Sequence, residues 1–450
     1  MSFWSGQHLS SFKGVALQTN DGELTYQELN ECIETFASLI DQKTGNNKIV
    51  FLLLNNDLDS VIAYLACLRK SIVPLLLPSD IDIKLLNKLE GIYKPFAIFN
   101  STEKDNLRFT NLKSHEEIHN DLFLLLSTSG STGSPKLVRL SKENILSNAK
   151  SICTYLEISN FDKALCSMPL SYSFGLSVLN THLLTGATTY LTNTNPFDKD
   201  FYEILENAKI TSISGVPFFF NILYRTGFTK KDFQEIKTIT QAGGAMPQKT
   251  TKIFADYAVE KDINFFVMYG QTEATARMSY YKVNNNFKKI GSIGKPIPGG
   301  KITISSDKEI IFSGENVMLG YAENRSDLAI GNKNNNVLNT GDLGHIDEDG
   351  FVYVIGRKKR FVKVAGSRYN LDDIENTLEK EFETSFMTFG TDDNLSICYA
   401  DKKLDLSSIF QFLHSSFGLN ASFIKLKFIK DLPLNSNGKK DYEKIKELSQ

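Results

Sequence analysis

The sequence predicts an α/β protein: a large N-terminal domain of parallel sheets covered by helices, a β-rich subdomain towards its end, and a small α+β domain at the C-terminal end. Three observations predict this. Short apolar runs alternate with amphipathic helical stretches through the first half of the chain, the pattern of a largely parallel sheet. Short β-branched runs and glycines then crowd residues 280–355. Finally, the basic stretch Gly356-Arg-Lys-Lys-Arg360 separates this region from a last segment with its own alternation, which sets the domains at 1–356 and 357–450.

The elements follow in order. After Val15-Ala-Leu17 and a turn at Asn20-Asp-Gly22, Thr25 with Glu28 forms a capping box that starts a helix burying Leu29, Ile33, Phe36 and Ile40. A strand is expected at Ile49–Leu54, a helix near Asp59–Lys70, an apolar run at Ile72–Leu77 and a helix from about Ile81. Beyond Leu137–Leu140, a strand, Ser141 caps a further helix. Ser167–Leu176 reads as a Pro- and Gly-marked loop with two aromatics. Strands follow at Thr188–Leu191, Ile210–Gly215 and Thr238–Ala242, the last ending in Gly243-Gly244. In the β-rich region the runs are Lys301–Ile304, Glu309–Phe312, Val317–Leu319 and Phe351–Ile355.

Composition narrows the function. The 450 residues are 41% hydrophobic, enough for large cores, and 50 Lys+Arg against 52 Asp+Glu give no bulk attraction to nucleic acid or an anionic membrane. Small-molecule partners are expected. Five scattered cysteines form no framework and fit a reducing compartment, the first residues lack signal-peptide features, and the apolar stretches are too short to span a bilayer. The expectation is a cytoplasmic protein without a membrane span.

The chemistry centres on Leu124-Leu-Leu-Ser-Thr-Ser-Gly-Ser-Thr-Gly-Ser-Pro-Lys136. Gly130 and Gly133 allow close backbone approach, Thr128, Ser129, Ser131 and Thr132 add hydroxyls, and Lys136 adds charge: an anion cradle. It departs from the GxxxxGK[ST] phosphate loop, since no glycine precedes the lysine and Pro135 disfavours an immediate helix. Such a stretch alone is equally an ordinary surface loop. Asn264-Phe-Phe-Val-Met-Tyr-Gly-Gln-Thr-Glu273 runs from a strand into an aromatic ring, Gly270, Gln271, a hydroxyl and a carboxylate, which can stack a base, contact phosphate and hold Mg²⁺ through oxygen. Thr340-Gly-Asp342 can accept ribose hydroxyls or be a plain turn. Lys439, after a flexible Asn-Gly, is a surface lysine unless a mobile loop delivers it to a site. His115-Glu-Glu-Ile-His119 matches the HExxH pattern of zinc hydrolases, but it lies in a short polar segment that reads as a solvated turn or surface helix. The basic run at 356–360 is too short for nucleic acid and reads as a solvated hinge.

Taken together, these stretches resemble the adenylate-forming superfamily of acyl- and aryl-CoA synthetases, luciferase and nonribosomal adenylation domains. The pieces stand in the family's order: Leu24-Thr-Tyr26, Thr128–Lys136, Tyr269-Gly-Gln-Thr-Glu273, Thr340-Gly-Asp342, Gly356-Arg357, Gly366-Ser-Arg368 and Asn437-Gly-Lys439. The resemblance implies an AMP-forming ligase that activates a small carboxylic acid with ATP and Mg²⁺, then passes the acyl group to a thiol of CoA or of the phosphopantetheine of an acyl carrier protein. It also implies roles. Glu273 ligates Mg²⁺ and Thr272 contacts phosphate; Gly243, Gly244, Ala245 and Tyr269 flank adenine; Asp342 and Arg357 hold ribose; Lys439 bridges the reacting groups. The Ser/Gly loop clamps phosphates, and Lys359 is the hinge of a mobile C-terminal lid, where many members have Asp. Tyr172, Phe174, Gly175, Val216 and Ala274 line the acid pocket, with Tyr172 where acyl-CoA synthetases commonly have His. Gly175 stands where amino-acid-activating members place an aspartate, so an acyl or aryl acid is favoured over an α-amino acid. Loading of an amino or hydroxy acid onto a carrier protein, a zinc hydrolase and a nucleotide-binding protein without catalysis are the alternatives.

Overall fold

The computed structural model describes residues 2–44, 48–103, 105–112, 114, 116–127, 136–358, 360–365, 367–435 and 438–449. Two compact units emerge, one of residues 1–290, 294–302 and 312–338, the other of residues 291–293, 303–311 and 339–450.

The first unit holds two sheets. In the nine-stranded sheet the central strands Val15–Gln18, Thr188–Leu191, Lys163–Cys166, Ser212–Gly215, Thr238–Gln241 and Asn264–Tyr269 are all parallel, as the strand–helix alternation requires. Antiparallel strands close both edges. The seven-stranded sheet has a parallel centre of Ala97–Asn100, Ile49–Leu54, Val73–Pro78 and Leu124–Ser127. Every residue of Ile49–Leu54 is buried, the continuous apolar run of a strand covered on both faces. Helix Leu58–Arg69 is buried almost all round, and its Tyr64 donates to Asn180 on helix Ser173–Thr185, 3.3 Å away. A polar clasp joins the sheets: Asn56, 5% exposed, follows strand Ile49–Leu54 and donates to the carbonyls of Cys166, Met168 and Thr192 at 2.9–3.2 Å.

The capping boxes appear as expected. Thr25 accepts from the Glu28 amide while Glu28 accepts from the Thr25 amide at the start of helix Tyr26–Thr44. Ser141 and Asn144 exchange the same pair of bonds ahead of helix Lys142–Leu156.

Three local expectations are corrected. Ser167–Leu176 is not all loop: helix Ser173–Thr185 starts inside it, with Tyr172 at the N-cap position and no side-chain capping bond. Gly175 lies in this helix as a packing glycine, since a Cβ there would lie 2.4 Å from the Met168 carbonyl oxygen, a close approach that reads in the sequence as a turn. Val317–Leu319 is not a strand; pairing begins at Gly320–Ala322, which joins Leu137–Leu140 in the seven-stranded sheet. The other β-branched runs do form a four-stranded sheet, of Lys301–Ile304, Glu309–Ser313, Val337–Ile346 and Val352–Arg357. Thirdly, the basic run is solvated at Lys358 but not at Arg360, which is mostly buried. Lys358 pairs with Asp307 and, at 2.8 Å, with Glu309.

Arg360 enters the most heavily bonded polar cluster of the second unit. Glu375, on helix Leu371–Phe382, is 2% exposed. One oxygen accepts from Arg360 Nη2 at 2.8 Å and from the Thr388 amide and hydroxyl; the other accepts from Lys440 Nζ at 2.9 Å and Tyr442 Oη at 2.8 Å. The Arg360 guanidinium also lies 3.7 Å from the Tyr442 ring centroid. Apolar packing surrounds this cluster, with Ile374, Leu378, Phe386, Ile397 and Leu413 in one core.

Burial alone would raise the Glu375 carboxyl, but Lys440 and Arg360 hold it below the ordinary value of 4.5. A folded pKa depressed below the unfolded one contributes stability that is full above about pH 4.5 and lost as pH falls through the folded value. Glu375→Ala leaves Arg360 with Asp372 and Lys440 with Glu379 as their remaining acids, and leaves the buried Thr388 amide without its acceptor, so it should cost about 1–3 kcal/mol. In urea unfolding, the wild-type protein should lose stability below pH 4.5 more steeply than the variant; parallel pH profiles would contradict the linkage.

Candidate functional site

The parallel strands of the nine-stranded sheet deliver their carboxyl ends to one edge, where ligand sites of open α/β sheets form. Strand Asn264–Tyr269 ends there in the predicted Tyr-Gly-Gln-Thr-Glu turn, which continues as a short 3₁₀ turn at Thr272–Ala274. The turn folds tightly back on itself. A Cβ at Gly270 would stand 1.8 Å from the Ala276 carbonyl oxygen, so only glycine fits. Thr275 adopts φ +67°, a left-handed conformation costly for a β-branched residue.

Buried asparagines hold the strained turn. Asn316, 3% exposed, donates to the carbonyls of Ala274 and Arg277 at 2.9 and 3.0 Å, and its own carbonyl accepts from Thr275 Oγ1 at 2.7 Å. Asn148 adds a second donor to the Arg277 carbonyl at 3.0 Å. Asn144 in turn fixes the segment carrying Asn316, donating to the carbonyls of Glu315 and Val317. Each satisfies backbone groups that no regular ladder reaches.

The turn presents two oxygen ligands. Thr272 Oγ1 lies 3.3 Å from Ser173 Oγ at the start of helix Ser173–Thr185. Glu273 Oε1 accepts from Tyr321 Oη at 2.7 Å, and burial together with the Glu273 charge pushes the Tyr321 phenol up. The ring of Tyr321 lies beneath Lys136 Nζ, 5.6 Å from its centroid, and Lys136 also pairs with Glu323 at 2.8 Å. The lysine ending the Ser/Gly loop and the acid of the turn are thus bridged by one phenol. One carboxylate with neighbouring hydroxyls suits Mg²⁺, which takes few protein ligands and completes its octahedron with phosphate and water oxygens.

Beside the turn, Gly243 has φ +85°, and the buried Gln241 donates to the Gly244 carbonyl at 2.9 Å; Gly244 and Ala245 are exposed. Gln271 donates to Tyr269 Oη at 3.3 Å. Of the five acid-pocket candidates, Phe174 lines a cavity of about 130 Å³ with Ser177, Val178, Thr181, Met268 and Arg277. Tyr172, Gly175, Val216 and Ala274 are not among its lining residues; Gly175, Val216 and Ala274 are buried in packing.

In the second unit, Asp342 is opposite Arg357 across paired strands, with Nε and Oδ1 3.5 Å apart, and Asp342 is 5% exposed while Arg357 is open. Lys439 lies in a tight loop: its amide donates to Asn435 Oδ1 at 3.0 Å and its carbonyl accepts from the Asn435 amide at 2.8 Å. Thr128, Ser129, Gly130, Ser131, Thr132 and Gly133 lie outside the described residues, as do Lys359 and His115. His119 is in irregular chain, its Nδ1 accepting from the Asp121 amide, and no group of three metal-ligating side chains occurs among the described residues.

Tyr321, Asn316, Asn148 and Arg277 were not singled out from the sequence. Only Arg277, a charge among small residues right after the Tyr-Gly-Gln-Thr-Glu run, carried a local signal.

Asn316→Ala removes two donors from buried carbonyls and should destabilise the protein by about 2–4 kcal/mol. Chemical denaturation measures this, and a loss under 0.5 kcal/mol, the ordinary range of surface changes, would show that the turn keeps its strain without the clasp.

Comparison with known proteins gives the family. Residues 79–322 match the profile of the AMP-binding enzyme family. The 2-succinylbenzoate–CoA ligase of Oceanobacillus iheyensis is 27% identical over 396 residues, covering 81% of this chain and 80% of that protein. That of Staphylococcus epidermidis is 24% identical and covers 99% and 98%. Among solved structures, the o-succinylbenzoate CoA synthetase of Bacillus subtilis with its acyl-adenylate intermediate superposes with a TM-score of 0.82 at 22% identity, covering 99% and 98%. ATP-bound MatB of Rhodopseudomonas palustris gives 0.82 at 19%, covering 100% and 99%. No helix of the described residues is long and apolar enough to cross a membrane. The chain belongs to the AMP-binding enzyme family, as an AMP-forming acid–thiol ligase.

Proposed function

We propose that this chain activates an aryl acid of the succinylbenzoate class and transfers it to CoA in the cytoplasm. The observation that carries the reading is the Lys136–Tyr321–Glu273 bridge beside Thr272, which assembles cation, phenol, carboxylate and hydroxyl at the edge where a triphosphate would lie. The acid is supported by the relatives' names and by room: a cavity of about 150 Å³ holds a benzene ring, and the one with Phe174 and Met268 in a wall that also carries polar and charged side chains is of that order. Gly175 argues against an α-amino acid on steric grounds, since even a Cβ there meets the Met168 carbonyl, leaving no place for an aspartate to pair an ammonium.

In the first half-reaction an oxygen of the acid's carboxylate attacks the α-phosphorus, and the bond to the bridging oxygen breaks to release pyrophosphate. In the second, the thiol attacks the acyl carbon and AMP departs with its phosphate oxygen. Neither step needs covalent help from the protein; both need positioning and positive charge. Thr272 would hold a phosphate oxygen, while Glu273, oriented by Tyr321, would ligate Mg²⁺, which when bound neutralises charge on the phosphates. Thr128–Gly133 and Lys136 would clamp the departing pyrophosphate. Gly243, Gly244, Ala245 and Tyr269, with Gly270 and Gln271, would enclose adenine, and Asp342 with Arg357 the ribose. Lys439 would bridge carboxylate and α-phosphate. Residues 357–450 would act as the lid, turning at Lys359 between half-reactions, and Tyr172, Phe174, Val216 and Ala274 would shape the acid's entrance.

Two sets of measurements test this. Acid-dependent pyrophosphate exchange should appear with aryl acids and fall about 100-fold in Glu273→Gln; zinc-dependent hydrolysis, or ATP binding without exchange, would overturn the ligase reading. With CoA and a holo-carrier protein offered as acceptors, CoA should be used. Lys439→Ala should abolish adenylation yet still transfer from supplied acyl-AMP, and Lys359→Pro should do the reverse. A variant with both half-reactions intact would refute the role assigned to it.

A further inference from the structure

Arg277 is a buried cation that none of the roles above employs. Its residue is 3% exposed, its guanidinium lies 4.0 Å from the Phe174 ring centroid, and Nη1 donates to the neighbouring Ala276 carbonyl at 3.1 Å. The Nε–H finds no acceptor among the described residues, and the group's side-chain hydrogen bond goes to the Tyr155 phenol, not to a carboxylate. Burial pushes the guanidinium down, and the ionisable groups that face it are the phenols of Tyr155 and Tyr172.

Arg139 shows what a structural arginine looks like in the same unit. Fully buried, it donates from Nε to Tyr321, from Nη1 to Ile330 and from Nη2 to Leu319, every bond ending on a backbone carbonyl. Arg277 has no such cage. A buried charge without its hydrogen bonds is costly enough that it is retained where something fills the gap.

The gap opens on a cavity. Arg277 and Phe174 line the 130 Å³ space whose wall includes Met268, near the carboxyl end of strand Asn264–Tyr269. Its other charged lining residues are Glu157, Asp162 and Lys237. Asp162 and Lys237 immediately precede strands Lys163–Cys166 and Thr238–Gln241, so they mark the amino edge of the sheet, away from the Thr272–Glu273 turn. The cation next to the reacting edge therefore faces the cavity without an acid of its own.

We propose that Arg277 determines substrate specificity by pairing with a second carboxylate of the acid, so that this enzyme activates a dicarboxylic acid. The inference rests on the ligase reading. One carboxylate reacts at the turn while the other accepts from the guanidinium, whose planar fork suits carboxylate geometry. Relatives named for 2-succinylbenzoate act on an acid with two carboxylates, which is the chemistry this arrangement favours. Arg277 acts by binding, not by bond-making.

Pyrophosphate exchange with matched acids tests it: 2-succinylbenzoate against 4-oxo-4-phenylbutanoate, which lacks the ring carboxylate, and octanedioate against octanoate. The wild-type enzyme should favour the dicarboxylate of at least one pair by about 100-fold in kcat/KM. Arg277→Gln should erase most of that preference by raising KM for the diacid, with KM for ATP little moved, and Arg277→Lys should keep part of it. Tm of each variant reports whether it folds; if Arg277→Gln does not, the wild-type preference and Arg277→Lys decide. A wild-type preference for the monoacids, or an equal loss on both members of a pair, overturns the proposal. Exchange with monoacids alone would leave the ligase reading standing, whereas no exchange with any acid would overturn both.

Discussion

The active edge of this ligase depends on one close approach, the passage of the Ala276 carbonyl over Gly270. No other residue leaves room for it. Because of it, the chain leaving strand Asn264–Tyr269 turns back within a few residues, setting Thr272 towards Ser173 and Glu273 towards Tyr321. The conformation is not self-supporting, since Thr275 is strained and its neighbours' carbonyls lie off any ladder. Asn316 and Asn148 supply the missing donors, so buried hydrogen bonds offset local strain and fix the Thr272 hydroxyl and the Glu273 carboxylate on the sheet's edge.

In the second unit a buried carboxylate has the comparable role. Glu375 holds Arg360 and Lys440, the residues that follow Lys359, the proposed hinge, and Lys439. Both segments expected to work during the reaction are therefore rooted on one side chain, which ties their placement to the core of this unit. A buried ion cluster adds little net stability over an apolar one, but it penalises any arrangement that separates its members.

Much of this was legible in the chain. Strand–helix alternation gave parallel sheets because apolar runs without polar alternation are buried on both faces, as Ile49–Leu54 is. Thr25 and Ser141 announced their helices through local chemistry. The Tyr-Gly-Gln-Thr-Glu run was readable because its glycine, hydroxyl and carboxylate act within one turn. Where the reading failed, a long-range contact had overruled a local preference. Gly175 looked like punctuation but is a packing glycine under the Met168 carbonyl. Val317–Leu319 has strand composition, yet its amides and carbonyls go to Glu273, Arg139 and Asn144. Arg360 sits in a basic run that reads as solvated, but Glu375 lies next to it only after folding.

The sequence by itself determined the family and the α/β layering, since these rest on residue types at short spacing. Tertiary structure alone decided which residues support the candidate site. Tyr321 meets Glu273 and Lys136 only because Gly320–Ala322 pairs with Leu137–Leu140, and Asn316 reaches the turn only through Asn144. The same holds for Arg277, whose charge is visible in the sequence but whose unsatisfied Nε–H is not. A hydrogen bond left unmade is a property of everything that packs around a side chain, and no local pattern records it.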